Sequence, residues 1–270
     1  RASGTPLGEY VDGRFYYGIK TGCNEAFVVD RATRDRLIAA DPKSADLLKP
    51  FLRGRDVKRW RVQPQDLWLI TIESSENVRH TWSDCEPEAA EKRFAECYPG
   101  IHAWLNEYRD RLINRQDKGR FWWELRSCKY WQEFQQPKIL YKEISTYQWF
   151  AWDSEGFLAN NKAFFIPDGT AFLLAVLNSK CVWYFLRHVA SWLQGGALAL
   201  QWPYVSQLPI PAIPESEQAP LVELVERILA AKRADADADV SALEREIDRL
   251  VYALYNLTAA EIALIEQASR

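Results

Sequence analysis

Methionine is missing altogether from these 270 residues, and histidine occurs only three times. A translation product begins with methionine, whereas this chain opens Arg1-Ala2-Ser3-Gly4, so it is expected to be cut from a longer polypeptide, as its C-terminal portion. His80, His102 and His188 have no supporting cysteine or carboxylate spacing, and no metal site is expected. The five cysteines, Cys23, Cys85, Cys97, Cys128 and Cys181, are scattered, odd in number and without a CxxC pair, which predicts reduced thiols in a cytoplasmic protein. No apolar run follows a basic opening, so there is no sign of a signal peptide. The longest apolar stretch, Phe172 to Val189, is broken by Asn178-Ser179-Lys180 and Arg187-His188, short of the about 20 apolar residues a membrane helix needs.

Catalytic signatures are missing as well. There is no Walker loop, no GxSxG and no HExxH. The glycine-rich loop that binds S-adenosylmethionine (AdoMet) and the Asn-Pro-Pro-aromatic element of amino-methyltransferases are both absent. Pro167-Asp168 could open a nuclease motif, but no Asp/Glu-x-Lys follows on a plausible strand. The sequence therefore predicts neither catalytic residues nor a cofactor within this chain.

What is present is a soluble-type composition, 48% hydrophobic and 26% charged, with twelve tryptophans. The net charge of -3 conceals an uneven distribution. Residues 1–150 carry 25 basic against 22 acidic residues, whereas residues 213–270 carry 6 against 12. A mildly basic body thus precedes an acidic tail, which permits nucleic-acid binding without proving it. Phe15 to Ile19, Ala26 to Val29, Leu67 to Ile72, Lys138 to Tyr141 and Ala163 to Ile166 read as strands, the first two joined around Thr21-Gly22-Cys23-Asn24. Asp30 and Thr33 are candidate caps for a helix through Leu37 and Ile38. Residues 88–115 read as helical, interrupted at Pro99-Gly100, and 170–177 and 180–190 as two further helices. Pro203, Pro209, Pro211 and Pro214 mark an extended stretch. In the tail, Leu221, Leu224, Val225 and Ile228 form one apolar stripe, and Val240, Leu243, Ile247, Leu250 and Leu254 form a coiled-coil seam. Ser241 with Glu244, and Thr258 with Glu261, fit capping boxes. The expected architecture is α+β: a mixed α/β domain over residues 1–212 and a helical hairpin with a short final helix over 213–270.

The chemistry-bearing residues are cations interleaved with aromatics. The run from Lys49 to Arg61 holds six positive charges, Lys49, Arg53, Arg55, Lys58, Arg59 and Arg61, against Asp56 alone. Such side chains pair with phosphates and release counterions, and arginine also reads guanine bidentately. From charge alone, a solvated surface loop is the simpler reading. A second cluster, from Arg109 to Lys142, surrounds Phe121-Trp122-Trp123 and Tyr130-Trp131; such aromatics are more often core than surface. Gln194-Gly195-Gly196 is either a flexible backbone for close approach to a ligand or a helix C-cap. Asn160-Asn161-Lys162 offers asparagines that can pair with adenine, although a turn is the default.

In order along the chain, these pieces resemble a known family. Tyr17-Gly18-Ile19-Lys20-Thr21-Gly22-Cys23-Asn24-Glu25-Ala26-Phe27-Val28-Val29-Asp30, Leu48-Lys49-Pro50-Phe51-Leu52-Arg53-Gly54-Arg55-Asp56-Val57, Pro137-Lys138-Ile139-Leu140-Tyr141, Leu177-Asn178-Ser179-Lys180 and Gln207-Leu208-Pro209-Ile210-Pro211 resemble the TaqI-like C-terminal specificity domain of adenine-specific DNA methyltransferases and type IIG restriction enzymes. Ile247 to Thr258 is similar to the closing segment of type IIG chains. The resemblance implies a module that binds double-stranded DNA beside an AdoMet-dependent methyltransferase domain of the same parent chain, with AdoMet held there. It favours DNA contact for the basic loop. The family's base-reading positions lie in variable loops, so the site residues follow from charge and turn chemistry: Lys20, Thr21, Asn24, Arg53, Arg55, Lys58 and Arg59, then Arg61, Lys142, Asn160, Asn161, Lys162, Gly195 and Gly196. The alternative is a protein-interaction or assembly module, in which residues 213–270 self-associate or dock on a partner.

Overall fold

The consecutive apolar residues Ile139, Leu140 and Tyr141 are all buried, so this strand faces packed side chains on both sides. The structure, a computed structural model, describes residues 4–269. The opening Arg1-Ala2-Ser3, on which the expectation of a longer parent rests, lies outside the described residues. The fold is mixed α+β with C-terminal helices, as the sequence predicts. A four-stranded sheet runs in the order Leu158–Ala159, Leu48–Leu52, Leu67–Ile70, Val28–Asp30. A five-stranded sheet runs Tyr16–Tyr17, Ala163–Pro167, Lys138–Lys142, Phe150–Asp153, Trp60–Arg61.

Strand Lys138–Lys142 is the wall between two hydrophobic cores. Leu140 packs with Phe134 and Phe165 on one side, and Ile139 and Tyr141 with Ile166, Phe172 and Val176 on the other, as the two-residue strand period requires. At its start Lys138 is fully buried, with Nζ 2.6 Å from Asp153 and donating to the Phe134 carbonyl at 2.6 Å. Asp153 also accepts the Glu155 and Phe157 amides, so the buried charge is compensated on every side.

Local signals set the helices. The Asp30 carboxylate accepts the Thr33 amide and starts helix Arg31–Ala40, while Pro99 opens helix Pro99–Asn106 at a position that needs no amide donor. Thr170 and Ser179 cap helices Ala171–Leu177 and Lys180–Val189. In the tail, helix Glu215–Ala234 packs on Ala171–Leu177, and Ser241–Leu254 and Ala259–Ala268 pack on Lys180–Val189. Ile247 and Val251 are buried in the same core as Leu221, Val225 and Ile228, so the inner face of the expected seam is covered within the chain. Thr258 and Glu261 form their capping box.

Four local expectations are corrected. Ala26 and Phe27 lie on a single helical turn, Asn24–Phe27, held by the Trp104 indole donating to the Ala26 carbonyl at 2.8 Å; the strand begins only at Val28. Ser241 and Glu244 form no capping box, because Glu244 is drawn away to Arg59 and Trp60. Gln194-Gly195-Gly196 is no helix C-cap: helix Lys180–Val189 ends earlier, and both glycines, at φ +80° and +74°, turn a hairpin between Ser191–Trp192 and Leu198–Ala199. Pro203 lies on a short helix, Trp202–Val205, not in an extended stretch.

The tail is keyed to the body by Asp248, which is buried, accepts the Lys180 amide at 2.8 Å and lies 3.7 Å from Lys180 Nζ. Burial outweighs these partners and raises its pKa from 3.8 to about 6. The folded state then holds a proton that the unfolded chain releases, so this residue's contribution to stability is complete below pH 3.8 and falls as pH rises through 6. Replacing Asp248→Asn removes that titration. The melting temperature of the variant relative to wild type, followed by circular dichroism, should therefore rise steadily from pH 4 to 6.5; a pH-independent difference would refute the assignment.

Candidate nucleic-acid interface

The segment 158–167 belongs to both sheets. Its first strand pairs in parallel with Leu48–Leu52, Ala159 opposite Leu52, and its second pairs antiparallel with Lys138–Lys142, Ala163 opposite Lys142. The turn between them, residues 160–162, is thereby forced against two remote segments, 53–56 and 142–144. Arg53, Gly54, Arg55, Lys142, Glu143, Ile144, Asn160 and Lys162 line one open cleft of about 620 Å³.

Each wall has a sequence cause. Asp56, the single acid of the basic run, is buried and accepts the Arg53 amide at 2.7 Å, which closes the tight turn Gly54–Asp56. Asn160 Oδ1 accepts the Gly54 amide at 3.0 Å and the Lys162 amide at 3.2 Å, joining the two turns. A Cβ on Gly54 would lie 2.8 Å from the Lys162 carbonyl oxygen, and one on Gly18 only 2.1 Å from the Asn160 carbonyl oxygen. These two motif glycines are thus required by close backbone approach to the 160–162 turn.

The cleft is cationic and rimmed by aromatics. Arg55 and Lys162 are exposed; Lys162 is paired with Glu143 at 2.9 Å. Lys142 Nζ sits 3.7 Å from the centre of the Trp149 ring, and Lys58 Nζ sits 5.5 Å from it. Burial first, and then repulsion from Lys58, lower the Lys142 pKa to about 8. Two crowded ammonium groups without a full complement of anions are suited to receiving one. Among the described residues no group of three or more His, Cys, Asp or Glu is placed to hold a metal ion. No helix among them is long and apolar enough to cross a membrane.

The remaining residues singled out from the sequence fall into four groups, with Arg59 apart. Asn161 donates its amide to Ile19 O at 3.1 Å, which brings Lys20 beside the turn, where it pairs with Asp117 at 2.9 Å. Thr21 and Asn24 are engaged with each other: the Thr21 hydroxyl donates to Asn24 Oδ1 at 2.7 Å and accepts the Cys23 amide. The exposed Gly195-Gly196 turn belongs to a hairpin whose strand Leu198–Ala199 pairs with Ile144–Ser145, so it is joined by backbone to the cleft wall. Arg61 is half-buried on strand Trp60–Arg61.

Arg59 departs from the expectation. It turns inward, with Nη1 2.7 Å from Glu244 and Nη2 donating to the Asn178 carbonyl at 2.8 Å. Trp60, buried and held at φ +71°, donates its indole N–H to the same Glu244 at 2.6 Å. Asn178 in turn bonds both backbone groups of Phe150, at 3.2 and 2.9 Å. Motif residues 177–180 and the last residues of the basic run thus form the body–tail joint. Charge counting could not separate Arg55 from Arg59, because the partners that hold Arg59, Glu244 and Asn178, are remote in sequence. Glu143, Ile144 and Trp149 were missed, although Trp149 lies only seven residues beyond Lys142 in an aromatic-rich segment.

The model of one family, the TaqI-like C-terminal specificity domain, matches residues 49–210, more than half of the chain. Among solved structures, the type IIL restriction-modification enzyme MmeI in complex with DNA shares 14% identity at a TM-score of 0.66, over 94% of this chain and 34% of that one. The type IIG restriction endonuclease BpuSI is a looser match, with 13% identity and a TM-score of 0.44, over 90% of this chain and 30% of that one. The chain therefore spans about a third of the length of these structures. No curated protein matches the sequence.

Removing Arg59 deprives the partly buried Glu244 of a charged hydrogen-bond partner, a loss of about 1.5–3 kcal/mol, which is roughly 3–12 °C in a chain of this size. Arg59→Ala should therefore lower the melting temperature by that amount, and Arg55→Ala should leave it unchanged. Equal melting curves for the two variants would place Arg59 outside the joint.

Proposed function

The chain belongs to the TaqI-like C-terminal specificity domain family, and on that premise we propose that it recognises double-stranded DNA as the target-reading module of a restriction-modification enzyme. The observation that carries this reading is the convergence of Arg53, Arg55, Lys142 and Lys162, from three segments remote in sequence, on one open cleft. A row of phosphates is the ligand that such a cleft neutralises, with counterion release as the driving force. Phosphate contacts set the register, and the 160–162 turn in the cleft and the Gly195-Gly196 hairpin, paired to its wall through Leu198–Ala199, supply the groove contacts that select the sequence. In this reading residues 1–212 are the recognition domain and residues 213–270 its brace. The chemistry, N6-adenine methylation with AdoMet, belongs to a neighbouring domain of the parent chain, in the cytoplasm, and this chain carries no catalytic residue. Assembly through the tail is the second reading. Burial of Ile247 and Val251 within the chain favours bracing over self-association.

Anisotropy titrations of a labelled duplex between about 50 and 200 mM salt test the reading. Wild-type affinity should fall steeply with salt. Arg55→Ala, Lys142→Ala and Lys162→Ala should each flatten the slope by about one counterion. Unchanged slopes would remove the cleft from the interface. The Lys142 pKa adds a second signature. Its protonated form binds phosphate, so affinity should fall as pH rises through about 8, and Lys142→Arg, which stays charged, should suppress that fall. Identical pH profiles for wild type and Lys142→Arg would exclude Lys142 as a phosphate ligand.

A further inference from the structure

Beside the cleft, the chain exposes apolar surface that its own packing does not use. Tyr147 is 59% exposed and Ile144 49%, although both adjoin a cluster of cations. Neither is on a loose loop. Ile144 pairs with Ala199 in the three-stranded sheet. The Ser145 hydroxyl donates to the Tyr147 carbonyl at 2.7 Å, and the Trp149 amide donates to the same carbonyl at 2.9 Å, while Gln148 is buried. The Tyr147 ring lies offset over Trp149, with centroids 6.1 Å apart and planes 18° from parallel, and Trp149 carries Lys142 and Lys58. The result is a short ladder, cations on Trp149 and Trp149 against Tyr147, whose outer rung remains exposed at the edge of the cleft.

We propose that Tyr147 is a nucleobase-stacking platform: a base displaced from the duplex continues the Trp149–Tyr147 ladder while its flanking phosphates lie on Lys142, Arg55 and Lys162. The proposal rests on the reading of the cleft as a DNA-binding surface and adds the base as a second ligand group. A flat side chain with two rotatable torsions on a hydrogen-bonded turn loses little freedom on stacking, and the neighbouring cations hold the phosphates within reach of it. Sequence-tolerant stacking is the chemistry expected here, since every base offers a π-face.

Three labelled DNAs test it with the 270-residue chain: a fully paired duplex, the same duplex with one bulged adenine, and the same duplex with a bulged abasic nucleotide. The two bulged DNAs differ only in the base. Wild type should bind the adenine bulge about tenfold more tightly than the abasic bulge. Tyr147→Ala should erase that ratio and Tyr147→Phe should keep it, while Lys162→Ala should weaken all three alike. Equal affinities for the two bulges in wild type, or a ratio that survives Tyr147→Ala, would overturn the stacking proposal while leaving the cleft as a phosphate site. Absence of salt-dependent binding to the paired duplex would instead overturn the reading on which it rests.

Discussion

The interface depends on one segment being shared by two sheets. Because Leu158–Ala159 and Ala163–Pro167 pair with different partners, the intervening turn has no freedom to lie elsewhere. A slip of one residue in either register would turn buried Phe165 or Leu158 toward the opposite face and lose their packing. Registers fixed by burial therefore position Arg53, Arg55, Lys142 and Lys162, whose own side chains contribute little to stability. Arg55 and Lys162 are held where water reaches them, while the apolar strands beneath supply the rigidity.

The same division runs through the motifs that mark the family. Gly18 and Gly54 allow backbone contact, Asp56 folds the turn, and Asn160 ties the turns together. Asn178 and Lys180 hold the body against the tail, with Asp248 and Glu266 as acceptors for Lys180. These motif residues build the scaffold, and the cations on the loops between them are left to face a ligand. The fold is shared with MmeI at 14% identity.

Much of the architecture was legible in the sequence because it follows from local rules. Caps at Asp30 and Thr258, the interruption at Pro99 and the apolar strand at Lys138 each act over a few residues. What was illegible depended on partners remote in sequence. Glu244 matches a capping pattern, yet an arginine and an indole N–H some 184 residues away hold it instead. Asn160 reads as an adenine-pairing candidate, and its carbonyl oxygen is engaged by two backbone amides. The basic run from Lys49 to Arg61 reads as one patch, but Arg59 and Trp60 turn inward onto Glu244. Composition reports how many charges there are, and only the fold decides which of them meet.

The central claim is that the crossover turn and the two segments packed on it form the face that meets DNA. Hydrogen–deuterium exchange of the chain with and without a duplex tests this most directly, because it reports contact without substitution. The account predicts protection confined to residues 53–58, 142–149 and 160–162, with the body–tail joint around Arg59 and Glu244 unchanged. Protection that spares those three segments and falls instead on helices Lys180–Val189 and Ala259–Ala268 would contradict it.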